Sequence, residues 1–318
     1  MGLRLTVREA EWRHHVAETA AAFPDLLPVV KGNGYGFGRA KLAEVAASLS
    51  DDCAVGTVHE VADLPMSVRP HVLAPTVSPL PDGLRADAVL SVGSLVHVDA
   101  LARHGWTGAL SVKLRSSMHR YGVPPGELHE LEVAARRAGM IPLDASLHLP
   151  LAGTAIDHAG EVEAWLRVLA PGTTLTVSHL DATSYARLLD THPQHRLRIR
   201  LGTALWHGDK SMLHLNADVV DVHPVERGTP LGYRQRPALV DGHVVLVAAG
   251  TAHGVSALPD GRSPFHFARR RLELVEAPHM HTSMLIVPET EPLPDVGDRV
   301  DVQRPLTQTW VDEVEWHR

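Results

Sequence analysis

The chain is short of cysteine, of basic clusters and of long apolar runs, and each shortage removes a class of protein. A single cysteine among 318 residues, Cys53, excludes an internal disulfide framework and a multi-cysteine zinc site. It stands in the apolar run Cys53-Ala-Val55, so a buried, inert thiol is expected. No apolar run approaches the roughly 18 residues that a membrane span needs. Met1–Glu9 has no apolar core of signal-peptide length, so a cytoplasmic protein is expected. There is no run of basic residues and the formal net charge is −7, which argues against nucleic acid as a partner. Despite 22 histidines, neither HExxH nor a comparable zinc signature appears. Proline and glycine are spread evenly, and no linker, low-complexity segment or fixed-period repeat stands out.

What is present is an alternation of short β-branched runs with helical stretches over the first two-thirds. Strands are expected at 25–31, 53–58, 71–74, 88–91, 109–114, 143–149, 174–178 and 197–201. Helical patterns fall at 39–49, 60–63, 125–138, 161–169 and 184–189. Such alternation implies parallel strands with helices outside, and about eight units in roughly 200 residues fit a small (β/α)8 barrel, an α/β fold of TIM type. After Trp206 the helical signal stops. Short strands at 219–225, 243–248, 271–275, 283–287 and 299–302, separated by Gly/Pro turns, read as a small antiparallel β domain. The expected division is therefore 1–207 and 208–318.

One segment carries chemistry on its own terms. Val29-Val-Lys-Gly-Asn-Gly-Tyr-Gly-Phe-Gly38 places Lys31 at the C-terminal end of the first confident barrel strand, where barrel active sites lie. The four alternating glycines let the backbone approach a ligand closely. The apolar flank before Lys31 lowers an amine's pKa by desolvation and favours the free base that Schiff-base chemistry requires.

That segment is similar to the cofactor-lysine signature of the alanine racemase family, Val-Val-Lys-Ala-Asn-Ala-Tyr-Gly-His-Gly, with Gly32 and Gly34 replacing two alanines. The resemblance implies pyridoxal 5'-phosphate as cofactor, carried by Lys31, with Tyr35 on its phosphate. Val112-Lys-Leu-Arg-Ser-Ser-Met-His-Arg-Tyr-Gly122 is similar to the family's Lys-Val-Asp-Thr-Gly-Met-Gly-Arg-Leu-Gly. Arg120 then matches the arginine near the cofactor's phenolic oxygen and the substrate carboxylate, and Lys113 a supporting lysine that is often carbamylated. Leu197-Arg-Ile-Arg-Leu-Gly-Thr-Ala-Leu-Trp-His-Gly208 resembles Val-Arg-Pro-Gly-Ile-Ala-Leu-Tyr-Gly. It implies Arg200 against the pyridine nitrogen and the Gly202 and Thr203 amides on the phosphate. His148, in Leu147-His-Leu149, falls where the family has a histidine that stacks on the cofactor ring. Thr183 or Ser184 falls near a phosphate-binding serine.

Val225-Glu-Arg-Gly-Thr-Pro-Leu-Gly-Tyr-Arg234 looks like the start of the family's β domain, Gly-x-x-Val-Gly-Tyr-Gly. Tyr233 then matches the tyrosine that moves the proton on one face of the substrate, with Lys31 on the other. Two bases, one per face, are the minimal equipment for racemisation. In the family that tyrosine comes from the other subunit, which implies a homodimer with shared active sites and a free amino acid as substrate. Met280, in Met280-His-Thr-Ser-Met284, matches a substrate-side methionine. The match thins here. His253 and His281 stand where the family has aspartates, and the family's later segment with a second site tyrosine has no counterpart, so a substrate other than alanine is expected. Two further readings remain open: a lyase or aldolase with a metal at His279 and His281 joined by His253, and a non-catalytic cofactor-binding paralogue.

Overall fold

The computed structural model describes residues 2–317. It packs as two units. One comprises His15–Gly34 and Gly38–Trp206; the other comprises the chain up to His14, Tyr35–Phe37 and the chain from His207 onward. The chain opens with strand β1 (Leu3–Arg8) and helix α1 (Glu9–Ala21), neither of which the periodicity had marked.

The first unit is a closed parallel barrel of eight strands: β2 (Leu26–Pro28), β3 (Asp52–Val55), β4 (Arg69–Val72), β5 (Val89–Val92), β6 (Ala109–Leu114), β7 (Ile141–Leu147), β8 (Thr174–Ser178) and β9 (Arg196–Leu201). They run in the order β2-β9-β8-β7-β6-β5-β4-β3. The ring closes where Val29 bridges Ala54, with the Val30 amide donating to the Ala54 carbonyl at 2.7 Å.

Helices α2 (Arg39–Ala47), α3 (Leu95–Arg103), α4 (Leu128–Arg137), α5 (Ala155–Leu166) and α6 (Ala182–Thr191) connect strands. Each follows from local chemistry. On α4, Leu128, Leu131 and Ala135 fall on one face and are buried; each leucine contributes about 2 kcal/mol of apolar burial. Thr154 and Asp157 form a reciprocal capping box that starts α5, and Asp181 caps α6 through the Ser184 amide. Between β4 and β5 no helix forms. Pro75, Pro79 and Pro81 within seven residues remove the amide donors a helix would need.

The second unit is a mainly antiparallel sheet. The strand Leu213–Val225 pairs antiparallel with β1, with Gly242–Val247 and with Arg299–Val302, and Gly242–Val247 pairs in turn with Ser283–Pro288. Glu313–His317 lies parallel to β1 and is the exception. The division at 207/208 expected from sequence assigned residues 1–14 to the barrel. The backbone bonds of β1 to Leu213–Val225 instead tie that segment to the β unit. The sequence carries the alternation that makes this possible: Leu3, Leu5 and Val7 are buried and the residues between them less so. Trp12, Phe37 and Trp316 form an aromatic cluster in the same unit, with ring centroids 5.2 Å apart for Trp12–Phe37 and for Trp12–Trp316. Cys53 is buried within the barrel, and burial pushes its thiol up to about 12, as an inert core cysteine. Among the described residues no helix is long and apolar enough to cross a membrane.

Candidate active site

Alternation on adjacent barrel strands builds the site. Successive strand residues point to opposite faces, so positions two apart share a face. On β6 to β9 the shared face is hydrophilic: Ser111 and Lys113, Asp144 and Ser146, Thr176 and Ser178, Arg198 and Arg200, all buried. The register sets them side by side. Lys113 is opposite Ser146, Ser146 opposite Thr176, and Ser178 opposite Arg200.

At the C-terminal strand ends these side chains form one network. Lys113 Nζ donates to Ser146 Oγ at 2.9 Å, and Arg200 Nη1 donates to the same oxygen at 2.8 Å. Arg200 Nη2 donates to the Leu147 carbonyl at 3.1 Å and lies 3.3 Å from His148 Nδ1. Ser178 Oγ stands 2.6 Å from the same nitrogen. A guanidinium only donates, so Nδ1 accepts and the imidazole proton resides on Nε2. Burial, reinforced by Arg200 and Arg120, pushes His148 down to about 2, so its ring is neutral at neutral pH. Burial lowers Arg200 to about 10, which leaves it cationic there. Burial, then the Arg200 charge, holds Lys113 well below an ordinary lysine, with the Asp144 carboxylate opposing.

Lys31 follows β2, whose Leu27 and Val29 pack with Ala54 and Leu73. Lys31 is exposed as a residue, but partial burial of its amine lowers the pKa, and the cations Arg120 and Arg200 lower it further, with Glu60 opposing. Glu60 also braces the turn: its carboxylate accepts from the Gly56 amide at 2.7 Å and the Gly32 amide at 3.3 Å. The Arg39 guanidinium bonds the Gly32 carbonyl and pairs with Asp63 at 2.5 Å. Gly34, at φ 63°, could carry no side chain, because a Cβ there would overlap the Arg39 backbone nitrogen. Arg120 lies on the exposed loop after β6, its guanidinium 5.1 Å from the Tyr121 ring centroid, in a cavity of about 400 Å³ shared with His97, Arg115 and His119.

The structure thus gathers Lys31, Lys113, Arg120, His148 and Arg200 within mutual electrostatic reach. Of the other sequence candidates, Ser184 spends its hydroxyl and amide on Asp181, both at 2.8 Å, at the start of α6 beside Thr183. Gly202 follows β9, two residues after Arg200, and Thr203 begins a short helix, α7 (Thr203–His207). Tyr35 belongs to the β unit, where its carbonyl accepts from His207 Nε2 at 2.7 Å. Tyr233 and Met280 are exposed in that unit. His279 and His281, expected on one face of a strand, instead lie in the bend before Ser283–Pro288. His279 pairs with Glu276 at 2.6 Å, whereas the His281 ring stands 6.0 Å from that of His253, which pairs with Asp312 at 3.2 Å. Among the described residues no three His, Cys, Asp or Glu side chains converge as a metal site.

Sequence reasoning missed Ser146, Ser178 and Glu60. For the serines a signal existed: Asp144, Ser146 and His148 recur every second residue, as Thr174, Thr176 and Ser178 do, and a polar alternation inside a barrel marks a lined cavity rather than a packed core.

Fold and site together define a (β/α)8-barrel protein with a lysine amine of lowered pKa at its strand ends, an arrangement suited to carbonyl chemistry. The family model "Alanine racemase, N-terminal domain" matches residues 7–209. The chain belongs to the alanine racemase family, whose members use pyridoxal phosphate. It is 28% identical over 291 residues to an alanine racemase of Cereibacter sphaeroides, covering 86% of this chain and 80% of that one. It is 25% identical over 280 residues to that of Alcanivorax borkumensis, covering 80% and 77%. Among solved structures, alanine racemase from D-cycloserine producing Streptomyces lavendulae superposes with a TM-score of 0.72 at 18% identity, covering 100% of this chain and 97% of that one. Alanine racemase from Bartonella henselae with covalently bound pyridoxal phosphate gives 0.70 at 17%, covering 96% and 91%. These last two likenesses show the fold.

Proposed function

We propose that this protein is a pyridoxal-phosphate-dependent amino-acid racemase in which Lys31 and Tyr233 move the Cα proton on opposite faces of the substrate. The observation that carries the reading is the Lys31 amine, held below its ordinary pKa by burial and by Arg120 and Arg200, in a chain of the alanine racemase family. The donor set fits the cofactor. Lys31 would carry it, Arg200 would face the pyridine nitrogen, and neutral His148 would lie on the ring. Tyr35, Thr183, Ser184, Gly202 and Thr203 would take the phosphate.

When bound, the cofactor supplies an electron sink that makes the substrate Cα–H acidic. The rest is protein chemistry. Arg200 keeps its proton, since even its lowered pKa of about 10 lies well above neutrality. A donor that keeps its proton at this position would leave the pyridine nitrogen of the cofactor largely unprotonated and make it a weaker electron sink, favouring proton return to Cα over side reactions. Arg120 would hold the substrate carboxylate, with Met280 at the substrate side. Lys31, as a free amine, takes or returns the proton on one face. Tyr233 does so on the other, and its 85% exposure in the single chain suits a residue delivered to a partner subunit, so we infer a homodimer with shared sites. No specific observation favours a metal-dependent lyase, because His279, His281 and His253 are directed to different neighbours.

The test incubates cofactor-loaded protein with a panel of L-amino acids in deuterium oxide. Cα deuterium uptake with inversion for at least one amino acid is expected. Neither uptake nor inversion across the panel would refute the assignment.

A further inference from the structure

Tyr233 stands at the tip of a tight hairpin. Pro230–Leu231 pairs with Arg236–Pro237, and Leu231 packs into a small cluster with Val225, Ala238 and Val244. The tip itself, Gly232 to Gln235, has little apolar support, and an exposed tip of this kind is ordinarily mobile. One side chain from another segment restrains it. Glu276 is buried, and its carboxylate accepts from the Tyr233 amide at 2.8 Å and from the Arg234 amide at 3.2 Å. The same carboxylate accepts from His279 Nε2 at 2.6 Å. The His279 ring in turn lies against the Tyr233 ring, with centroids 4.5 Å apart and planes at 52°.

Three further observations show that this arrangement is built. Gly232 sits at φ 67°, and a Cβ there would meet Glu276 Oε1 and displace the carboxylate from the hairpin amides. The His279 backbone is pinned on both sides: its amide donates to the Thr282 carbonyl at 2.9 Å, and its carbonyl accepts from the Thr251 amide at 2.8 Å. The hydrogen bond from His279, followed by those from the two hairpin amides, holds the Glu276 carboxyl below its ordinary pKa although burial opposes this.

We propose that Glu276 and His279 are positioning residues for Tyr233: the carboxylate fixes the turn that carries the tyrosine, and the imidazole fixes its ring. The proposal rests on the reading of Tyr233 as a proton-transfer residue, but the coupling is measurable without turnover. The charged groups at the hairpin are Glu276 and His279 from the 275–282 segment and Arg234 and Arg236 from the hairpin itself. Removing the imidazole takes away both the packing partner of the Tyr233 ring and the bond that its Nε2 makes to the carboxylate.

The experiment compares His279→Gln and Glu276→Gln with wild-type holoenzyme. The packing of the Tyr233 ring is read as the near-ultraviolet circular dichroism difference between each protein and its Tyr233→Phe counterpart, and kcat and KM are measured alongside. His279→Gln is expected to lose most of that difference signal as the ring is released. With the tyrosine no longer held in one orientation, kcat should drop about tenfold with KM changed less than about twofold. Glu276→Gln should lower kcat similarly by freeing the hairpin. Glu276 is buried and its variant could unfold; His279 is only part-buried, so its variant carries the test. An unchanged Tyr233 signal and unchanged kcat in folded His279→Gln would overturn the proposal. A lost signal in a protein that exchanges no Cα hydrogen would leave the positioning pair standing and remove the racemase reading instead.

Discussion

Replacing Ser146 with alanine removes one oxygen and leaves two donors facing an empty space. Ser146 Oγ accepts from Lys113 Nζ at 2.9 Å and from Arg200 Nη1 at 2.8 Å, so both lone pairs are in use and the site is buried. A hydrogen bond to a charged group such as Arg200 contributes roughly 1.5–3 kcal/mol and a typical intramolecular bond about 1 kcal/mol. Arg200 retains the Leu147 carbonyl, whereas Lys113 loses the acceptor it shares with Arg200. The expected destabilisation is therefore about 2–4 kcal/mol, which for a unit of this size lowers the melting temperature by roughly 5–15 °C. Thermal and urea denaturation of the two proteins at one pH measure it. Ser117→Ala is the control, because Ser117 Oγ makes an equally short bond to Glu161, at 2.8 Å, on the surface, where a change within about 0.5 kcal/mol is expected. A Ser146→Ala protein as stable as the wild type would show that the network does not hold these cations as described.

Other perturbations follow from the same geometry. His148 titrates in the folded state near 2 and in the unfolded chain near its ordinary value, so the unfolded state binds the extra proton and stability falls as pH drops below about 6.5. His148→Phe should remove up to about 2 kcal/mol of the stability loss between pH 6.5 and 5; identical acid slopes for the two proteins would contradict the neutral, buried ring. Gly34→Ala should destabilise more than Gly32→Ala. Both glycines have positive φ, at about 1–2 kcal/mol for a side chain, but only at Gly34 does a Cβ meet backbone. Equal stabilities of the two variants in urea melts would count against this account of the turn.

Much of the barrel could be read because its signals are local. Lys31 ends a β-branched run before alternating glycines, and Arg198 and Arg200 alternate on β9. What was not legible depends on register and long-range pairing. Nothing in the sequence shows that Ser146 lies opposite Lys113 or that Ser178 lies opposite Arg200, because strand offset is a property of the closed ring. The first strand went unassigned since its partners, Leu213–Val225 and Glu313–His317, are some two hundred and three hundred residues away. Glu276 and His279 were hidden for a related reason. The spacing of His279 and His281 suggested a strand face, whereas the segment bends and sends His279 toward the hairpin that carries Tyr233, and nothing in the sequence singled out Glu276.

The central claim is that one amine, Lys31, carries the cofactor. The chain has four lysines, Lys31, Lys41, Lys113 and Lys210, so the claim can be tested residue by residue. Purified protein loaded with pyridoxal phosphate is reduced with borohydride, digested and mapped by mass spectrometry. The account predicts the cofactor mass fixed on the peptide holding Lys31 and lost in Lys31→Ala. Cofactor fixed instead at Lys113, or on no lysine of a fully loaded protein, would contradict it.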